Sequence, residues 1–263
     1  MAPNDKSTLH GEAPDSSTRP EEGRVAKRRR ATRARLLEAA YDVMAEVGVD
    51  AAKIKDITDR ADVGFGTFYN YFETKDELAN QVLDCVINDY GRRNVLATRG
   101  LRKKDPALIM PVSMRLVMRE AATTPMWQWW ALRPDLLVDR MRDGFGPFGT
   151  RDIRDAIDRG IFRLEPEEVD SAWALANWMM VGGIHDIVVG QRAPDSDVFV
   201  VNAIVRMMGV ELNEARRISS TVLPKYSATD IDWTFELVEH RQVEPESDGQ
   251  EPVKRDGGIM QKM

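Results

Sequence analysis

Between Asp62 and Lys75 the chain reads Asp-Val-Gly-Phe-Gly-Thr-Phe-Tyr-Asn-Tyr-Phe-Glu-Thr-Lys. Five aromatic rings fall within eight residues, two glycines bracket the first of them, and few folds tolerate that pattern. A strand would place Phe68, Asn70 and Phe72 on one side and Tyr69 and Tyr71 on the other. A lone strand is not stable without partners, and the rest of the chain shows helical spacing. In a helix each residue turns about 100°. Phe68 and Phe72, four apart, then share one face, while Thr67, Asn70 and Tyr71 lie opposite with Gly66 close by. The segment is two-sided: two phenylalanines lock it down, and a hydroxyl, an amide and a phenol are displayed.

The flanking sequence gives this segment a setting. Leu36, Leu37, Ala40, Tyr41, Met44 and Val47 recur at spacings of three and four from Thr32 onward, and Gly48 ends that helix. Ile54, Ile57 and Ala61 line a second helix, with Lys53, Lys55, Asp56, Asp59 and Arg60 outward. Asp62-Val63-Gly64 is a tight turn, since Asp tolerates and Gly prefers left-handed backbone. Thr74 is a good N-cap, with Glu77 completing a capping box for a helix from Lys75 to about Tyr90. Helix, tight turn and short displayed helix, preceded by a packed helix, make a three-helix helix-turn-helix module whose second helix lies in a DNA major groove.

Charge tests that reading. The formal net charge of the 263 residues is −6, which as an average argues against nucleic acid. The charge is segregated, however. Arg24 to Arg35 carries six arginines, one lysine and no acid, whereas residues 36–80 carry four bases and ten acids. The basic run is a solvated helix start, a sorting signal or an arm that neutralises phosphates. A DNA-binding role requires the last, because the module itself is acidic.

Here the sequence resembles the DNA-binding domain of the TetR/AcrR family of transcriptional regulators. The likeness runs from about Thr32 to Leu83 and is most specific in Gly66-Thr67-x-Tyr69-x-Tyr71-Phe72-x-x-Lys75-x-x-Leu78. The resemblance implies a dimeric, repressor-like protein with a DNA-reading domain followed by a ligand-binding domain. It places Lys53 on a phosphate, Phe65, Gly66 and Thr67 at base edges, and Tyr69, Tyr71 and Lys75 on the DNA backbone. Arg28, Arg29, Arg30 and Arg33 supply the basic arm. The chain departs from the family habit at Asp62, usually Gly, and at Gly64, usually a capping Ser.

The expected fold is all-α: an N-terminal helix-turn-helix domain over 24–83 and a C-terminal helical ligand-binding and dimerisation bundle over 84–225. Tails at 1–23 and 226–263 read as disordered. Bundle helices are expected over 106–122, 126–132, 134–143, 150–161, 166–189, 197–210 and 211–218. A patch at 231–237 reads as a weak strand or a turn docking on the body. The resemblance places the dimer interface on the last two long helices, through Ala172, Ala176, Met180, Ile184, Ile187, Val201, Val205 and Met208; an ordinary internal core is the alternative. Gly182 and Gly183 permit close helix approach.

Methionine and aromatic side chains suit an adaptable apolar cavity. Met114, Met118, Trp127, Trp129, Trp130, Phe145, Phe162 and Trp178 are its candidate lining, with Met110, Met126, Met141 and Phe148 in the wider set. Arg115 and Arg119 would meet an anionic head group or water. The expected partners are a double-stranded operator with palindromic half-sites, a second copy of the chain and a small hydrophobic or aromatic effector.

Three histidines and one cysteine offer no metal-ligand spacing, phosphate loop or nucleophile elbow, so neither enzyme, cofactor nor metal is expected. No 18-residue apolar run and no apolar leader occur, which fits a cytoplasmic protein without a membrane partner. The rival readings are a ligand-independent architectural DNA binder, a helical enzyme and an interaction module.

Overall fold

Amphipathic periodicity carries through the computed structural model, which describes residues 23–123, 125–224 and Phe235. Among these there are ten α-helices and no strand. Helix α1 (Arg24–Val47) begins eight residues before the apolar pattern does, so the basic run is the solvated first turns of a helix about 36 Å long. Gly48, at φ 80°, ends it by donating to the Met44 carbonyl. Leu36, Leu37, Ala40 and Met44 are its buried face.

Helix α2 (Ile54–Arg60) packs on α1, and α3 (Phe65–Phe68) packs on α2. The turn between them needs one left-handed residue, and Asp62 supplies it at φ 51°. Gly64 is extended (φ −65°, ψ 144°), so its use is as an unstrained N-cap. Helix α4 (Lys75–Lys104) runs well beyond Tyr90, because Gly91 does not break it. Thr74 caps it by accepting from the Glu77 N–H at 3.0 Å; the Glu77 carboxylate reaches back to the Glu73 N–H at 2.7 Å.

The bundle comprises α5 (Ile109–Thr123), α6 (Pro125–Ala131), α7 (Pro134–Asp158), α8 (Val169–Val188), α9 (Asp197–Met207) and α10 (Leu212–Ser219). One expectation fails: 134–143 and 150–161 are a single helix. Gly-Phe-Gly-Pro-Phe-Gly at 144–149 looks like a break, yet α7 continues through Pro147. Tertiary packing overrides propensity there. A Cβ on Gly144 would lie 2.4 Å from Ile87, and one on Gly149 would lie 2.2 Å from Trp173. These glycines let α7 close on α4 and α8. Gly183 does the same for α8 against Met118 and Val200, whereas Gly182 faces open space.

Helix α6, with its three tryptophans, packs between α1 and α8 and so joins the two ends of the molecule. Of the 231–237 patch only Phe235 is described. It is buried, with its ring 5.6 Å from that of Tyr41 on α1. The tail expectations otherwise lie outside the described residues. No described helix is long and apolar enough to cross a membrane.

Candidate DNA-binding surface and effector cavity

Helix α3 is short, and its backbone tightens toward three-residue turns past Phe68: Asn70 N–H donates to the Thr67 carbonyl and Tyr71 N–H to that of Phe68. The rings sort by face. Phe68 and Phe72 are 0% and 1% exposed, with centroids 5.7 Å apart, while Phe65 and Tyr69 are 52% and 54% exposed. Phe65 therefore faces out, edge-on to Tyr69 at 5.8 Å. A Cβ added to exposed Gly66 meets nothing within 4 Å. Nothing inside the protein requires glycine there.

The cations expected at phosphates fall into two groups. Lys53 and Arg28 are exposed. Arg29 sits 5.8 Å over the Tyr71 ring, and Arg33 lies over Phe72 and donates to Gln81. Burial pulls the Arg33 guanidinium below its ordinary pKa. Lys75 Nζ is tied to the carbonyls of Asp50 and Ala52 at 2.9 and 3.0 Å, which pins the α1–α2 loop to the start of α4. Arg60 pairs with Glu46 on α1 at 2.9 Å. Sequence reasoning placed these residues on one surface without revealing that Arg33 and Lys75 also hold the domain together.

Helices α4, α5, α7 and α8 line a cavity that opens to solvent. Its volume is about 50 Å³, or about 530 Å³ with the open space at its mouth included. One water needs roughly 10–15 Å³ by the first measure, so a small molecule fits with modest widening. Phe145, Phe148 and Trp173 form an aromatic wall; Met110, Met114 and Met180 face it, and Asn94, Thr98 and Ser113 add polar groups. At one end Arg102 bonds Asp152 at 3.1 Å.

Of the expected lining, Met114 and Phe145 are at this cavity and the rest are not; of the wider set, Met110 and Phe148 are there, whereas Met126 and Met141 are in the core. Met118, Trp127, Trp129, Trp130 and Phe162 are buried in the core away from it, and Trp178 points outward, 49% exposed. The tryptophans fill the joint between α1 and α8, and Arg133 stacks over Trp129 at 3.8 Å. Asn94, Thr98, Gly149 and Trp173 were missed, because only the interhelical geometry brings them together. Arg115 is buried and Arg119 is nearly half exposed to water, yet both bond the fully buried Asp197, Arg115 at 2.7 Å and Arg119 at 3.0 Å.

A second correction concerns the dimer face. Ala172, Ala176, Met180, Ile184, Ile187, Val201, Val205 and Met208 are all buried within the subunit. They are the inner stripes of α8 and α9, and a second copy cannot reach them. The outward stripe of the same helices carries Leu175, Trp178, Val189 and Phe199, all exposed, with open Gly182 among them.

A displayed short helix on a packed helical base, joined to an all-helical bundle, is the arrangement of a helix-turn-helix regulator. Residues 36–82 match the profile "Bacterial regulatory proteins, tetR family", and residues 105–221 match "Tetracyclin repressor-like, C-terminal domain". The crystal structure of RolR in complex with the ligand resorcinol is 31% identical, with a TM-score of 0.68, over 77% of this chain and 100% of that one. The chain belongs to the TetR family and is a DNA-binding transcriptional regulator, not an enzyme.

Curated relatives match over the DNA-binding end. The transcriptional repressor Rv3405c of Mycobacterium tuberculosis is 45% identical over 51 residues, 19% of this chain and 27% of that protein. The repressor DhaR of Mycobacterium sp. strain GP1 is 38% identical over 60 residues, 23% and 30% of the two chains. The match thus spans under a third of either relative's length.

Proposed function

We propose that this regulator is a dimeric repressor that leaves its operator when a small aromatic or apolar effector enters the α4/α5/α7/α8 cavity. In this reading residues 24–83 hold DNA and residues 84–225 sense and dimerise. The observation that carries it is the continuity of α4. The helix starts at Lys75, pinned to the α1–α2 loop, and reaches the cavity at Gly91 and Asn94, about 29 Å further along. An effector that widens the cavity moves α4 against α5 and α7, and a rigid helix passes that shift to the displayed face. Release then requires only that the effector bind the shifted state more tightly than the DNA-bound one. The cavity's size and aromatic wall suit a single ring, and the resorcinol bound by RolR is a molecule of this class.

DNA contact falls to Phe65, Gly66, Thr67 and Tyr69 at base edges and backbone, with Tyr71, Lys53, Lys75 and the α1 arginines Arg28, Arg29, Arg30 and Arg33 toward phosphates. The second copy packs on Leu175, Trp178, Gly182 and Phe199. Two copies are needed because helix-turn-helix proteins read half-sites about 34–36 Å apart.

Footprinting on the region upstream of the protein's own gene and its neighbours, with and without resorcinol and related single-ring compounds, tests the reading. A palindromic footprint erased by one such compound is the expected result. A footprint that no ring compound alters would favour the ligand-independent binder, and no footprint for a folded protein would remove the operator claim.

A further inference from the structure

We infer that Asn94 selects the effector by accepting a hydrogen bond from it, so that the cavity takes small aromatic rings bearing a hydroxyl and discriminates against rings of the same shape without one. The inference rests on the reading of the cavity as the effector site.

Asn94 lines the cavity from α4 and is 8% exposed. Its Nδ2 donates to the backbone carbonyl of Ser113 on α5 at 3.3 Å. A carbonyl only accepts, so the amide must present its nitrogen there, and this fixes the orientation of the side chain. Oδ1 is then left buried, and it has no donor in the structure. Of the two hydroxyls one turn away on α4, that of Thr98 is committed at 2.7 Å to the Asn94 backbone carbonyl, and that of Tyr90 is hydrogen-bonded to Glu120. Native proteins rarely leave such an acceptor unpaired, because a buried polar atom without a partner keeps its full desolvation cost.

Other buried side-chain atoms lack a partner too, on Asn80, Asn177 and the Trp127 and Trp130 indoles, but none of those residues lines the cavity. Asn94 therefore combines an unpaired acceptor with a place in the lining of a space that can take a ligand, and a modest widening of the cavity uncovers that acceptor. The facing wall of Phe145, Phe148, Trp173 and Met114 supplies the ring's apolar surroundings. A phenolic O–H meets both requirements: a flat apolar body and one donor at its edge. Because α4 also carries the cavity into the DNA-binding end, a hydrogen bond on Asn94 acts directly on the helix that has to move.

The test compares resorcinol, m-cresol and m-xylene, three meta-disubstituted rings of nearly equal shape with two, one and no hydroxyls. Binding to the full-length protein is measured by calorimetry and by the shift in melting temperature. A cavity without a usable acceptor would rank m-xylene first, since a hydroxyl costs desolvation that nothing returns. We expect the reverse order, with m-xylene bound roughly ten- to hundred-fold more weakly than m-cresol. Asn94→Leu should reduce that preference to less than about threefold without weakening m-xylene. If that variant does not fold, the wild-type ranking decides alone. Equal binding of all three, or a preference that survives in Asn94→Leu, would overturn the role of Asn94 and leave the effector cavity standing. If none of the three binds the folded wild type, the cavity reading itself falls and this inference with it.

Discussion

Two regions of this chain use aromatic rings in opposite ways. In the displayed segment, Phe68 and Phe72 are buried while Phe65 and Tyr69 are out, and helical angle alone sorts them within eight residues. In the cavity, Phe145, Phe148 and Trp173 come from α7 and α8 and meet only because Gly149 lets Trp173 lie where a Cβ would stand. The first arrangement is local and the second is tertiary. Local sorting gives a surface whose function is separable from its stability. Tertiary sorting makes the function and the packing of the wall the same thing.

The sharpest way to break this contrast is within the displayed segment. Phe68→Ala removes a fully buried ring beneath α3 and should cost about 3–5 kcal/mol, read as loss of the thermal transition or its displacement to low denaturant. Tyr69→Ala, one residue on, should change stability by under about 0.5 kcal/mol yet lower operator affinity at least roughly tenfold. Equal destabilisation by both would mean that the two-faced description is wrong.

A paired glycine substitution is the next largest test. Gly149→Ala places a methyl 2.2 Å from Trp173 and should cost about 1–3 kcal/mol while blunting effector binding. Gly66→Ala meets no atom of the protein, so its melting temperature should hold or rise slightly while operator affinity falls. Should Gly66→Ala leave DNA binding intact, close backbone approach at that position is excluded.

How much could be read beforehand follows the same division. Asp62 as the left-handed turn residue, Thr74 as a cap and Phe68 with Phe72 as anchors all rest on neighbours within four residues, and each stands in the structure. The errors are tertiary. Gly-Phe-Gly-Pro-Phe-Gly reads as a break by propensity, but packing on Ile87 and Trp173 holds it helical. Periodicity shows the stripe Ala172, Ala176, Met180, Ile184 to be apolar and the family resemblance puts a partner on it, with an internal core as the alternative; neither tells which neighbour covers the face. Trp178 was assigned to a pocket for the same reason, from residue type without direction. Asn94 gave no signal at all: its interest lies in an unpaired atom, and pairing is invisible until α4 and α5 are docked.

The proposed dimer face yields a smaller but clean effect. Trp178→Glu on the outward stripe should shift light scattering from dimer toward monomer while leaving subunit helicity unchanged, because the side chain is half exposed in the subunit. Operator binding should weaken with it, since a single copy holds one half-site. A variant that remains dimeric would move the interface elsewhere on the molecule.

The smallest effect reports on the helix that joins the two regions. Cys85 lies on α4 between pinned Lys75 and the cavity at Gly91, and burial pushes its thiol up to about 12 from an ordinary 9.0, with Asp84 adding to the rise and Arg33 opposing it. Because the folded pKa is raised, the stabilisation from keeping the thiol neutral is complete below about pH 9 and is lost only as pH climbs toward 12. Alkylation at pH 8 should therefore run orders of magnitude below the rate of a free thiol, which reacts as thiolate. If an effector moves α4 away from α1, Cys85 gains water and the rate should rise severalfold on adding the ring compound that releases DNA. An unchanged rate would mean that the cavity and the displayed face communicate by some element other than the stretch of α4 that carries Cys85.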